Sequence, residues 1–188
     1  MKRYYVDLKP VFNQRYVFPY NDKLPSFLEE NFKFGEVGKD GLIVFIDRNA
    51  DKQDNAFCDG QTIDVPDVPC DRVAIAGTCG WGIYKEDFRL EFADGTVDYA
   101  MAKFYDQNWA AKPAIEASMD WDAAEYTDYN HILASYEKSD IEQHEPRYKE
   151  CYIYYYITDI KTKGRRLRRI IFPDNMFMNI FAITLEAE

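Results

Sequence analysis

Residues 86–103 read EDFRLEFADGTVDYAMAK, and their pattern decides the fold class. Asp94-Gly95 separates two alternating runs, and Asp-Gly suits a two-residue type I′ hairpin turn because both central positions need positive φ. Such a turn sets Phe92 opposite Val97, Leu90 opposite Tyr99 and Phe88 opposite Met101, all on one apolar face. The other face carries Arg89, Glu91 and Asp98 with small Ala100 and Ala102. One buried face and one wet face is the pattern of an antiparallel sheet. A slip of one residue would bury the charges, so the pattern itself argues for this register.

The rest of the chain agrees with a β architecture. Aromatic residues make up 16% of the 188 positions, with 15 Tyr and 13 Phe, and rings pack well on a pleated surface. Further strands are expected at residues 4–8, 41–46, 56–65, 72–78, 130–137, 151–160, 165–172 and 176–185. The run GLIVFI at 41–46 is continuously apolar, as in a strand covered on both faces. Gly60 reads as a bulge or a point of close backbone approach within 56–65, and the proline-containing 65–69 as a loop. CYIYYYITDI at 151–160 and RRLRRIIF at 165–172 look like hairpin partners joined by residues 161–164, and 176–185 is apolar enough to be a central strand. Strand–helix alternation is missing. The expectation is an all-β, antiparallel β-sandwich or barrel, the sandwich being preferred, in a single domain over 1–188. Residues 1–40, broken by prolines, are expected to wrap it irregularly, and 104–150 to form a long, loop-rich insertion in which 114–119 makes a helical turn.

Composition narrows the partners. A net charge of −10 argues against nucleic acid and anionic membranes, which need a positive footprint. No apolar run approaches a membrane span. The basic start at 1–5 meets Asp7, Lys9 and Asn13 too soon for a signal peptide, so a cytoplasmic protein is expected, or a secreted one if the chain is a trimmed mature form. Cys58, Cys70, Cys79 and Cys151 contain no Cys-x-x-Cys pair, and His131 and His144 are too scattered for zinc. Buried free thiols are the simpler reading, with disulfides in a secreted form as the alternative.

Asp47, Asn49, Asp51 and Asp54 place side-chain oxygens at alternate positions, as in a loop wrapping a hard cation; a structural Ca2+ is the cofactor this would bring. Lys52 and Cys58 stand where an EF-hand needs Gly and Glu. The competing reading is a polar loop whose Asp and Asn side chains cap their own backbone.

Several stretches together resemble the galactose-binding-like jelly-roll domains: Asp54-Asn55, Gly60-Gln61-x-Ile63, Val65-Pro66, the strand around Ile75, Phe92-x-Asp94-Gly95-Thr96, and the closing Ile170 to Asn175 and Ile180 to Leu185. The likeness is one of element order over about residues 42–185, with 104–150 departing from it. It implies a sugar-binding β-sandwich, often with a structural calcium.

Sugars stack C–H faces on rings and present hydroxyls to planar polar groups, so loop aromatics are the candidates. Trp81 lies between Gly80 and Gly82; Asn108-Trp109 and Trp121, flanked by Asp120 and Asp122, repeat the combination, and His131 has Asp128 nearby. For each Trp, burial as an end plug or under the long loop is the alternative; for His131 it is a core or loop histidine with a satisfied hydrogen bond. Tyr152, Tyr154 and Tyr156 form a row that is either an exposed platform or cross-strand packing. The cationic run 161–169 would attract a phosphate or acidic sugar, or serve as a solvated edge that resists aggregation. Three functions remain: a non-catalytic carbohydrate-binding module using Trp81, Asn108, Trp109, Trp121 and His131; a glycoside-active enzyme with a carboxylate pair in 104–150; and a scaffold without a small ligand.

Overall fold

The computed structural model describes residues 1–14, 35–39, 42–80, 83–105, 132–137 and 150–188. Among them are twelve strands: β1 (Lys2–Tyr5), β2 (Gly35–Lys39), β3 (Leu42–Ile46), β4 (Ala56–Asp59), β5 (Thr62–Pro69), β6 (Arg72–Cys79), β7 (Ile83–Phe92), β8 (Val97–Tyr105), β9 (Ile132–Glu137), β10 (Glu150–Asp159), β11 (Arg166–Ile171) and β12 (Asp174–Ala187). One layer has the order β1-β12-β6-β10-β9, with β4 also on β12; the other is β5-β11-β7-β8; β2 and β3 form a separate pair. Every pairing is antiparallel. The fold is an antiparallel β-sandwich.

The pairs β4–β12, β5–β11, β6–β10 and β7–β8 are successive segments of one long antiparallel ribbon, rolled so that alternate segments enter alternate sheets. This is a jelly-roll strand order. The hairpin at Asp94-Gly95 is the closed tip of the ribbon, and β1 and β9 extend the larger sheet at its two edges. The ribbon turns its first corner without losing its pairing: Gly60 N donates to Pro173 O at 3.1 Å and Phe172 N to Gln61 O at 2.9 Å. Gly60 has φ +76°, the left-handed conformation that lets β4 pass into β5. The expected strand over 56–65 is therefore two strands in different sheets. The stretch 65–69 is not a loop either. It continues β5, which lies at the edge of its sheet among the described residues, a position that tolerates Pro66 and Pro69.

The tip hairpin departs from its expected register by one residue. Gly95 N donates to Phe92 O and Phe92 N to Thr96 O, both at 3.0 Å, and Gly95 has φ +81° while Asp94 has no positive φ. That is a three-residue loop closed by a glycine bulge, not a two-residue type I′ turn. Leu90 consequently faces Asp98 and Phe88 faces Ala100. Phe88, Leu90 and Phe92 are buried as expected, but on β8 the inward residues are Asp98, Ala100, Ala102 and Phe104, whereas Val97 and Tyr99 are exposed. Small alanines let β8 lie close to the opposite sheet, and a cation offsets the buried Asp98. Arg165 Nη2 stands 2.9 Å from Asp98 Oδ2, with its guanidinium 3.9 Å from the Phe92 ring centroid.

The strands β10 and β11 are likewise not hairpin partners. β10 pairs with β6 and β9, and β11 with β5 and β7, so residues 161–164 cross between layers. Asp71 fixes the crossing: its backbone oxygen accepts Ile160 N at 2.8 Å and its Oδ1 accepts Gly164 N at 2.7 Å. Nor is β11 an edge, since β5 and β7 flank it. Tyr152, Tyr154 and Tyr156 all point into the core, where Tyr154 meets Tyr105 at 5.5 Å and Tyr156 meets Phe104 edge-on at 6.2 Å. The closing strand β12 is central, between β6 on one side and β1 and β4 on the other, as its apolar sequence implies.

The pair β2–β3 lies against the outer face of β12, where Thr184 Oγ1 donates to Ile43 O at 3.0 Å. β2 falls inside the stretch expected to be irregular. Val44 and Ile46 are buried but Phe45 is 40% exposed, so β3 is not covered on both faces. Among the described residues β2 is its one neighbouring strand.

Candidate functional site

Trp81, Asn108, Trp109, Trp121 and His131 lie outside the described residues, as do most of the carboxylates of 104–150. Their flanks can be placed. Ile83 pairs with Tyr105, and Cys79 Sγ donates to Phe104 O at 3.2 Å, so the links after β6 and β8 depart from adjacent strand ends. The same end carries Tyr84 stacked on Phe177 at 5.5 Å, and Phe177 O accepts Gly80 N at 3.0 Å.

The segment carrying Asp47, Asn49, Asp51 and Asp54 turns on itself. Asn49 Oδ1 accepts Asp51 N at 3.0 Å and Gln53 N at 2.9 Å, while its Nδ2 donates to Gln53 Oε1 at 2.8 Å. Lys52 takes φ +62° to close the turn. Asp47 accepts its neighbour Arg48 N at 2.8 Å and pairs with Lys9 Nζ at 2.5 Å. Partial burial would raise its carboxyl pKa, but Lys9 and the backbone bond outweigh that and hold it below the usual carboxylate range. Asp51 is exposed, whereas Asp54 is fully buried with Oδ1 accepting Asn55 Nδ2 at 3.1 Å. Among the described residues no three His, Cys, Asp or Glu side chains converge as a metal-binding group. Cys58 and Cys70 are buried free thiols, and Cys79 is buried with its Sγ bonded to Phe104 O; burial raises the Cys70 pKa to about 12 and that of Cys58 further still, which leaves those two unreactive.

A cleft that the sequence did not disclose opens beside Asp47. It has a volume of about 240 Å3 and lies between β1, the 3-10 turn Lys9–Val11, β3 and β12. Val6, Leu8, Phe12 and Phe181 are its buried apolar lining. Tyr5 and Phe45, 38% and 40% exposed, form one wall with ring centroids 5.7 Å apart and planes inclined at 37°. Tyr5 Oη is fixed by donating to Glu36 Oε1 at 2.8 Å, which adds to burial in raising the phenol pKa. Asp7, Lys9 and Asp47 supply the polar groups, and Lys9 also donates its backbone N–H to Asp7 Oδ1 at 3.2 Å. The cleft thus offers oriented rings beside both signs of charge, a lining suited to a small polar ligand with apolar faces.

A family model described as an AziU2-like beta-sandwich domain matches residues 35–188. The chain belongs to that family. No curated protein matches it. The matched span begins at β2, so this AziU2-like domain includes the complete rolled ribbon and the β2–β3 pair. Phe45, Asp47 and Phe181 lie inside the span, while Tyr5, Asp7, Lys9 and Phe12 come from before it. The cleft is therefore shared between the domain proper and the segment preceding it. The signal for Phe45 was obscured because GLIVFI contains no polar residue to show which side is open.

Proposed function

We propose that this protein, its AziU2-like domain together with the preceding segment, is a non-catalytic carbohydrate-binding protein. The half-exposed Tyr5 and Phe45 rings over the 240 Å3 cleft are the observation that supports this reading. A pyranose has C–H faces that pack on such rings and hydroxyls that bond to Asp7, Lys9 and Asp47. The buried aromatic and aliphatic floor favours displacement of water, while the charged rim orients the ligand. The rolled strand order is consistent with the galactose-binding-like resemblance, and Trp81, Asn108, Trp109, Trp121 and His131, chosen as aromatic side chains beside hydrogen-bonding groups, are proposed as a second sugar-contacting set.

A glycan array, followed by calorimetric titration of any hit, tests the reading. Tyr5→Ala and Phe45→Ala should each weaken binding at least about tenfold, the 1.4 kcal/mol scale of a lost ring contact. Unchanged glycan on recovery is expected. Cleavage of the glycan would instead support the enzyme with a carboxylate pair in 104–150. The carbohydrate proposal is wrong if no glycan binds.

A further inference from the structure

The sequence RRLRRII gives the strand β11 an arrangement that simple alternation does not produce. Leu167 and Ile170 are both fully buried although they are three residues apart. The extra residue is accommodated between Leu167 and Arg169, where the pairing shifts on both sides, against β5 and against β7. A β-bulge of this kind re-aims side chains. Here it sets Arg168 beside Arg169 at the same cleft, rather than on opposite faces.

That cleft has a volume of about 300 Å3 and is lined by Arg89, Glu91, Arg168 and Arg169 with Val97 and part of the hairpin tip. Its charges do not balance. Glu91 is the one acidic residue in the lining and is shared, with Oε1 3.0 Å from Arg89 and Oε2 3.5 Å from Arg169. Arg169 also meets Asp64 at 2.9 Å. Asp94, at the tip, directs Oδ1 to Thr96 N at 2.9 Å. Arg166 pairs with Asp67 at 2.9 Å and Arg165 with Asp98 at 2.9 Å. Arg168 alone in this run of arginines has no ion-pair partner among the described residues, in a chain whose net charge is −10.

We propose that this cleft binds a tetrahedral oxyanion, a phosphate or sulfate carried by a small ligand or present as the free ion, with Arg168 as its principal contact. A guanidinium presents paired N–H donors that match two oxygens of such an anion. Arg89 and Arg169, already braced by Glu91 and Asp64, supply a second and third cationic wall, and Glu91 excludes ligands that lack compensating donors or bring excess charge close to it. The site lies on the outer face of the smaller sheet, separate from the Tyr5–Phe45 cleft, and does not depend on the carbohydrate reading.

Calorimetric titration of the full chain at low ionic strength, where exposed charges are least screened, is the test. The probes are inorganic phosphate, inorganic sulfate and glucose 6-phosphate, with glucose as the uncharged control. Saturable binding of at least one anion is expected, with Arg168→Ala weakening it at least tenfold and Arg166→Ala changing it less than threefold. Binding of glucose 6-phosphate but not of inorganic phosphate would support the site and assign the anion to a larger ligand. The thermal midpoint of Arg168→Ala should equal that of the parent, so lost binding is not lost folding. The proposal is overturned if no anion saturates the wild type, if Arg168→Ala binds like the parent, or if Arg166→Ala is equally impaired, which would leave only diffuse attraction.

Discussion

Arg165 and Asp98 form a largely enclosed ion pair, 2.9 Å between Nη2 and Oδ2, with side chains only 12% and 10% exposed. Burial would raise the Asp98 pKa, but Tyr99 N, Lys161 N and Arg165 outweigh it and hold the carboxyl below its ordinary range. The pair joins the turn after β10 to β8, and Arg165 also donates to Thr96 Oγ1 at 2.8 Å. Arg165→Met leaves Asp98 buried without its cation and should cost about 3 kcal/mol in urea denaturation. A loss under about 0.5 kcal/mol, the scale of an exposed pair, would show that water already screens this contact.

Asp71 makes stability depend on pH in a defined direction. Its carboxylate accepts Glu188 N at 2.8 Å and Gly164 N at 2.7 Å, and these bonds hold its pKa below the ordinary value. A carboxyl depressed by folding contributes stability above its unfolded pKa of about 3.9 and loses it as pH falls through the lower folded value. Asp71→Asn should lose about 2 kcal/mol at pH 7, because one carboxylate oxygen becomes a donor facing a donor. The gap between wild type and variant should narrow steadily in denaturation curves taken below about pH 4. A gap that stays constant would disprove the assignment.

How much of this was legible depended on whether a feature is local. The inward face of β7 follows from Phe88, Leu90 and Phe92 alone, and the central place of β12 from its apolar run. The β8 register does not, because Asp-Gly suits two turns differing by one residue, and a distant Arg165 permits the one that buries Asp98. The separation of β10 from β11 depends on Asp71, which no reading of residues 151–172 includes. The Tyr5–Phe45 wall likewise joins segments 40 residues apart through a sheet-to-sheet packing that periodicity does not encode.

Two glycines should fail for different reasons. A Cβ on Gly77 would stand 2.4 Å from Asn179 O and 2.6 Å from Phe104 Cε2, within the core. Gly77→Ala should therefore cost about 3 kcal/mol through overpacking. Gly95 has open space around it but φ +81°, so Gly95→Ala should cost only about 1 kcal/mol through backbone strain. Equilibrium urea curves for the two variants measure both. The reverse order of losses would mean that β6 and β8 are not in contact at this point.

The hairpin register gives the most direct test of the fold, because the two possible turns exchange the faces of β8. With the glycine-bulge loop, Ala100 is 0% exposed and Tyr99 is 54% exposed. The two-residue turn would put Tyr99 inside against Leu90 and turn Ala100 toward water. Tyr99→Lys should thus change stability by less than about 0.5 kcal/mol, as exposed substitutions do. Ala100→Lys should cost more than about 3 kcal/mol or prevent folding, since it forces an unpaired charge under Phe88. Circular dichroism and urea denaturation on the pair decide between the loops: a tolerated Ala100→Lys beside a collapsed Tyr99→Lys would move the register back by one residue, return Asp98 to the surface and remove the reason for Arg165 to enter the core.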